Sequence, residues 1–179
     1  MLSLYLAKIR TGRDGIDKVR FDEVYGPEAV AGDSDSFTVA APVELVFDVT
    51  KDKDQFCLAG RVRTTLELQC SRCLEPFRRP MDAAFDLRYL PRSVNTGDDE
   101  REVQEDDLST AFYENDTIDL GQLIREQFYL WLPMKPLCGV DCKGLCLQCG
   151  ANLNRGACGC KRDWEDPRLA VLKALKNRS

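Results

Sequence analysis

The chain has 179 residues, of which 44% are hydrophobic and 31% charged, with a net charge of −5, nine cysteines and no histidine. This composition is typical of a globular protein with one main core. Without histidine, Ser–His and Cys–His nucleophile systems are excluded. No run of about 18 apolar residues predicts a membrane span, and the first apolar stretch ends at Lys8, too early for a signal peptide. We therefore expect a cytoplasmic protein, in which cysteines favour metal ions over disulfides.

The first 90 residues have the pattern of β-strands. The segments "FTVAAPVELVFDVT", "QFCLAGRVRTTLEL" and "AAFDLRYL" are rich in β-branched and aromatic residues, and Gly, Asp and Pro separate them. One parity of the second segment is mainly apolar: Leu58, Val62, Thr64, Leu66 and Leu68. We predict four to six strands that form an antiparallel sheet or a partial barrel.

A polar segment follows the predicted strands. Residues 98–107 contain seven acidic residues and one arginine, which leaves a slight positive charge on the rest of the chain. We interpret residues 92–107 as an acidic loop. Solvated charged faces would explain this distribution, and so would a basic surface that binds RNA phosphate.

A helix is predicted over residues 119–131. Asp119 is placed to be its N-cap, Gln122 would complete a capping box, and Pro133 ends the run. One face of this helix is apolar: Leu120, Leu123, Ile124, Phe128 and Trp131.

A second helix is predicted near the C-terminal end. Asp166 and Pro167 have the residue types of an N-cap and a first helical position. The predicted class is therefore α+β. Residues 1–132 would form a mainly β domain with the acidic loop and the first helix, and residues 133–179 a cysteine-rich metal module with the last helix.

Six cysteines lie within residues 138–160. Cys146 and Cys149 precede Gly150 in the form of a metal knuckle, and Cys158 and Cys160 supply a second close pair. Four thiolates can hold zinc tetrahedrally, and the ion would stabilise a glycine-rich stretch that has almost no apolar core. We take these four cysteines as the leading ligand set for zinc.

The other cysteines leave alternatives open. Cys138 and Cys142 could replace members of the leading set or contribute to a second site. Cys70 and Cys73 form a further C-x-x-C pair, which could join them in that second site or remain a reduced pair. Cys57 would then be an ordinary core residue. A set of reduced thiols and an iron–sulfur cluster are the alternatives to zinc.

Four segments carry a family resemblance. In order, these are "LQCSRCLEPF", "DLGQLIREQFYLWLPMKPLC", "DCKGLCLQCGANLNRGACGC" and "DPRLAVLKALK", between about Ala59 and Lys176. Together they resemble the YceD family of large ribosomal RNA subunit accumulation proteins. The resemblance implies a bacterial cytoplasmic factor that is needed for normal accumulation of large-subunit ribosomal RNA.

The expected function is accordingly non-enzymatic ribosome assembly. Neither a Gly-x-Gly-x-x-Gly motif nor a P-loop occurs, so we expect no small-molecule substrate. The expected partner is large-subunit ribosomal RNA or a precursor particle, or a ribosomal protein. The candidate contact residues are five arginines, whose guanidinium groups bind phosphate oxygens in pairs: Arg61, Arg63, Arg72, Arg78 and Arg79. The alternative function is that of a thiol-based redox or metal-handling protein.

Overall fold

A computed structural model describes residues 2–9, 18–30, 36–53, 55–92 and 109–160. The strands are β1 (Ser3–Tyr5), β2 (Lys18–Tyr25), β3 (Phe37–Val39), β4 (Val43–Asp52), β5 (Gln55–Gln69), β6 (Pro76–Pro91), β7 (Thr110–Tyr113) and β8 (Thr117–Asp119). The helices are α1 (Pro27–Val30) and α2 (Leu120–Trp131), with a 3-10 turn at Leu6–Lys8. The predicted helix at Asp166 lies outside the described residues, as does nearly all of the predicted acidic loop. No helix within the described ranges is long and apolar enough to cross a bilayer.

Six of the strands form one sheet. Its order is β2–β4–β5–β6–β7, and β3 pairs with β5 beyond the end of β4. The pairs are antiparallel except β6–β7, which is parallel. The prediction of an antiparallel sheet is therefore wrong at this edge, where the sheet is mixed. Parallel pairing needs a connection of about a dozen residues or more, and residues 92–109 supply one.

The long strand β5 carries much of the core. Its even-numbered side chains face inward, as the parity of the sequence predicted, and the following are buried: Phe56, Leu58, Val62, Thr64, Leu66 and Leu68. The buried hydroxyl of Thr64 donates to the carbonyl of Ala41 (3.0 Å), so its polar group is satisfied. Cys57 lies on the opposite face and is half-buried. The prediction that Cys57 is an ordinary core residue is wrong, because neighbouring side chains of a strand point to opposite faces.

Helix α2 covers the inner face of the sheet. The carboxylate of Asp119 accepts a hydrogen bond from the backbone N–H of Gln122 (3.0 Å), which confirms the predicted N-cap. No second hydrogen bond, from the N–H of Asp119 to the side-chain oxygen of Gln122, is formed between these two described residues, so the capping box is incomplete; the side-chain amide nitrogen of Gln122 donates to Glu126. The predicted apolar face packs on the core, with Phe128 fully buried. The helix ends at Trp131, and the chain turns back toward the end of β5.

Candidate metal centre

The first cysteine pair lies in the turn that joins β5 to β6. The N–H of Leu74 donates to the carbonyl of Cys70 (2.9 Å), and the N–H of Cys70 donates to the carbonyl of Glu75 (3.0 Å). Leu74 has a φ of 60°, the left-handed conformation that this tight turn requires. The turn exposes the Leu74 side chain and directs Cys70 and Cys73 inward, where both are buried.

The second pair has the same local geometry. The N–H of Gly150 donates to the carbonyl of Cys146 (2.9 Å), and the N–H of Cys146 donates to the carbonyl of Ala151 (2.8 Å). Gly150 has a φ of 70°, so it takes the same left-handed conformation as Leu74 in the first knuckle. The two C-x-x-C turns are therefore equivalent knuckles, although only one carries glycine at the left-handed position.

The structure brings eight cysteines into two groups of four. We call Cys70, Cys73, Cys138 and Cys142 the inner cluster, and Cys146, Cys149, Cys158 and Cys160 the outer cluster. Within each cluster the sulfur atoms all lie within 4.8 Å of one another. The outer cluster contains the leading ligand set, and the inner cluster joins the two pairs that sequence reasoning left as a second site.

The sulfur spacing suits a single tetrahedral ion. Zinc–sulfur bonds of about 2.3 Å at the tetrahedral angle place sulfur atoms about 3.8 Å apart. In the inner cluster, the Sγ atoms of Cys70 and Cys142 are 3.8 Å apart, as are those of Cys73 and Cys138. Both clusters therefore have the geometry to hold a metal ion.

The clusters differ in exposure. In the inner cluster three cysteines are buried, and Phe77 and Leu137 pack against them. In the outer cluster no cysteine is buried, and Cys149 is exposed. An ion in the outer cluster would therefore be more accessible to chelators and oxidants.

Hydrogen bonds make some of these thiols acidic. Burial opposes ionisation of Cys70, but the backbone N–H groups of Cys138, Cys73 and Arg72 outweigh it and lower the pKa of this thiol to about 6. The N–H groups of Cys149 and Gln148 likewise lower the pKa of Cys146 to about 6.

Crowding of the sulfur atoms raises the pKa of other thiols in the two clusters. Contact with the sulfur atoms of Cys142 and Cys70 raises the pKa of Cys138 to about 12. Contact with Cys149 raises the pKa of Cys160 to about 12. Four thiolates at this spacing repel one another, so without a cation some of the thiols keep their protons. A metal ion that binds here would therefore displace those protons.

Polar side chains that sequence reasoning missed connect the clusters. Asn154 donates from Nδ2 to the sulfur of Cys142 (3.3 Å) and lowers the pKa of that thiol. Glu75, which follows the first knuckle, accepts from Asn152 (3.3 Å) and Arg155 (2.8 Å). The only sequence signal for this network is the turn-forming stretch "GANLNRG" between the two outer pairs.

The structure does not bring the five candidate arginines together. Arg72 lies in the first knuckle, and its guanidinium donates to the backbone carbonyls of Cys142 (3.0 Å) and Val140 (3.3 Å). Arg72 therefore holds residues 140–142 against the end of the sheet that carries the first knuckle. Arg79 lies over the ring of Trp131, with its guanidinium carbon 5.1 Å from the ring centre.

The remaining three arginines lie on the outer sheet face, which carries the odd-numbered side chains of β5 and their cross-strand partners. Arg61 and Arg63 share Asp82, at 3.3 and 3.2 Å, and Arg78 pairs with Glu67 at 3.2 Å. The three arginine side chains are 52–70% exposed. Ion pairs this exposed contribute little to stability, so the arginines can exchange partners at low cost.

The fold and the clusters together define a class: a mainly β protein in which two equivalent cysteine knuckles support two four-cysteine centres. The family model described as "Large ribosomal RNA subunit accumulation protein YceD" matches residues 58–176. The chain belongs to this family, as its sequence motifs predicted.

Curated relatives are found in plants and in mycobacteria. The chain is 32% identical, over 72% of its length, to the maize protein named large ribosomal RNA subunit accumulation protein YCED homolog 1, chloroplastic. It is 29% identical, over 83% of its length, to the Arabidopsis thaliana protein of the same name. An uncharacterized protein of Mycobacterium tuberculosis is 30% identical over 84% of this chain and 70% of its own length. The chain spans about half the length of the two plant relatives, 52% and 53%. No solved structure matches it.

Proposed function

We propose that this protein is a non-enzymatic cytoplasmic factor that supports the accumulation or processing of large-subunit ribosomal RNA. The observation that carries the proposal is the extent of the family match, since residues 58–176 include both knuckles and all eight clustered cysteines. The names of the plant relatives refer to the same process.

We propose that each cluster binds one zinc ion with a structural role. The donors are thiolates alone, spaced for one tetrahedral ion, which is the arrangement of structural zinc sites. An iron–sulfur cluster with several irons would spread its cysteine ligands over different metal atoms and hold the sulfurs farther apart. The segment of the outer cluster has few buried apolar residues, so zinc would supply folding energy there.

Elemental analysis tests the zinc sites. Purified protein should contain about two zinc ions per chain. The double variant Cys70→Ser/Cys73→Ser and the double variant Cys158→Ser/Cys160→Ser should each contain about one. Iron in place of zinc, or metal-free protein that stays folded and resists proteolysis in residues 138–160, would contradict this assignment.

For contact with RNA we propose Arg61, Arg63 and Arg78. Arg61 and Arg63 share the carboxylate of Asp82, so one acidic side chain is paired with two guanidinium groups, and Arg78 lies farther along the same face. Arg72 and Arg79 are unsuitable for a charge-reversal test, because they hold the cysteine module and Trp131 in place.

Co-sedimentation with precursor particles tests the RNA contact. Replacing Arg61, Arg63 and Arg78 with glutamate should release the protein, and wild-type association should weaken as salt rises because counterions are released on binding. The matched control reverses three exposed basic residues elsewhere, Lys53, Arg92 and Lys135, with an equal change in charge. If both variants lose association equally, the effect is one of overall charge. If neither loses it, the outer sheet face is not the contact.

The exposure of the outer cluster favours one second candidate, a thiol-based redox or metal-handling role. Such a protein would exchange its outer ion rapidly or reduce a disulfide substrate over repeated cycles. Retention of both ions against a moderate chelator, without thiol turnover, would exclude this role.

A further inference from the structure

The outer cluster follows Cys138 and Cys142 of the inner cluster in sequence, and the two clusters share a polar network. The segment that follows the second knuckle, residues 151–155, returns to the inner cluster. Leu153 donates its N–H to the carbonyl of Gly144 (2.9 Å), and Leu145 pairs with Asn152 in an isolated bridge. This segment lies between the two cysteine pairs of the outer cluster, so closure of that cluster fixes both of its ends.

Asn154 is the residue of this segment that reaches an inner ligand. Its Nδ2 lies 3.3 Å from the sulfur of Cys142, and its Oδ1 accepts the N–H of Lys143 at 2.8 Å. It thus contacts both the sulfur of the ligand and the backbone of the next residue. A donor held in this position stabilises a metal-bound thiolate and fixes its orientation, as partners of metal ligands generally do.

Further hydrogen bonds fix the position of Asn154. Its backbone N–H and its Nδ2 both donate to Oδ1 of Asn152, at 3.0 Å. Asn152 in turn donates to Glu75, which follows the first knuckle. A continuous path of hydrogen bonds therefore runs from the second knuckle to a ligand of the inner cluster and to the base of the first knuckle.

We propose that the two centres bind metal cooperatively, and that Asn154 is the positioning residue that couples them. This inference rests on the proposed zinc sites. Metal in the outer cluster orders residues 151–155, which places the amide of Asn154 on Cys142 and raises the affinity of the inner cluster. Because coupling between binding sites is reciprocal, metal in the inner cluster raises the affinity of the outer cluster by the same factor.

A thermodynamic cycle measures the coupling without assigning ions to sites. Competition with a chromophoric chelator gives the overall constant for binding two zinc ions to the wild type. Cys158→Ser/Cys160→Ser gives the constant of the inner cluster alone, and Cys70→Ser/Cys73→Ser that of the outer cluster alone. We expect the overall constant to exceed the product of the single-site constants by roughly 5- to 150-fold, the usual range for coupled sites.

Asn154→Ala tests the pathway, and Gln148→Ala is its control. The control removes an exposed side-chain amide from the second knuckle that makes none of the described hydrogen bonds to a cysteine. Asn154→Ala should bring the coupling factor close to one, and Gln148→Ala should leave it unchanged. In protein that already lacks Cys158 and Cys160, Asn154→Ala should have little further effect on the inner cluster.

Three outcomes separate the possible failures. A coupling factor of one in the wild type, with two ions bound, overturns cooperativity and leaves the zinc sites standing. If the wild-type coupling factor is large and Asn154→Ala does not reduce it, the role of Asn154 is overturned. Wild-type protein that binds no zinc overturns the proposed zinc sites themselves. Circular dichroism of Asn154→Ala checks that the sheet is intact. If a cysteine variant does not fold, the overall constant for two zinc ions still tests Asn154: it should fall roughly 5- to 150-fold in Asn154→Ala and stay unchanged in Gln148→Ala, and equal constants would overturn the role of Asn154.

Discussion

Replacing Gly144 with alanine should loosen the cysteine module from the sheet. Gly144 is buried between the two clusters and has a φ of 71°. A Cβ atom at this position would lie 3.0 Å from the carbonyl oxygen of Arg72 and 3.4 Å from its Cβ. That carbonyl accepts the N–H of Leu145 at 3.2 Å, so it cannot move away without weakening this hydrogen bond.

Two effects should lower the free energy of unfolding of Gly144→Ala. An alanine in the left-handed region costs about 1–2 kcal/mol. Weakening the hydrogen bond from Leu145 to Arg72 costs about 1 kcal/mol more. Gly144→Ala should therefore lower the free energy of unfolding by about 2–3 kcal/mol, which corresponds to about 4–12 °C in Tm for a chain of this size.

Two other glycines separate these effects. Gly150 has a φ of 70° with nothing within 4 Å of its added Cβ, so Gly150→Ala should show the backbone cost alone. Gly139 also has open space around its added Cβ but no positive φ, so Gly139→Ala should be close to neutral. The measurement is urea denaturation of the zinc-loaded proteins, followed by circular dichroism. If Gly144→Ala destabilises no more than Gly150→Ala, the close approach to Arg72 has no energetic weight and the reasoning fails.

Two further predictions follow from the sheet and from the thiols. In Gly60→Ala, the added Cβ would lie 2.4 Å from both the Cβ of Phe47 and the carbonyl oxygen of Val46. Urea denaturation should therefore show a free energy of unfolding that is lower by about 2–3 kcal/mol. A decrease below about 0.5 kcal/mol would contradict the register of β4 and β5. Zinc must displace the protons of thiols such as Cys160, whose pKa of about 12 keeps it protonated at neutral pH, so chelator competition should show weaker zinc binding at about pH 6 than at about pH 8. An affinity that does not change between these two pH values would contradict ligation by thiolates.

Local patterns in the sequence predicted the elements that depend on local physics. The parity of β5 and the N-cap of α2 follow from side-chain periodicity and from one carboxylate, and both are confirmed. The parallel pairing of β7 with β6 was not predictable, because no local pattern states which edge a strand will join. The structural contacts of Arg72 were not predictable either. Its acceptors are backbone carbonyls 68 and 70 residues away, and a backbone carbonyl leaves no mark in the sequence.

The candidate metal centre was predictable for a different reason. Cysteine carries its chemistry in the residue type, so counting thiols was enough to suggest two groups of four. The pairing of Cys70 and Cys73 with later cysteines depended on where α2 returns the chain, which only the three-dimensional fold decides. Asn154 could not be found in this way, because asparagine in a glycine-rich stretch is common in ordinary turns.

The inner cluster also changes the topology of the chain. Its sulfur contacts join Cys73 to Cys138 and Cys70 to Cys142, which are 65 and 72 residues apart. A bound ion would therefore close a ring that contains β6, β7, β8 and α2. If the entropy that the unfolded chain loses is counted as for a disulfide, closing this ring would stabilise the folded protein by about 4 kcal/mol. The ring would be locked by an ion rather than by oxidation, so it could form in a reducing compartment and open again when a chelator withdraws the metal.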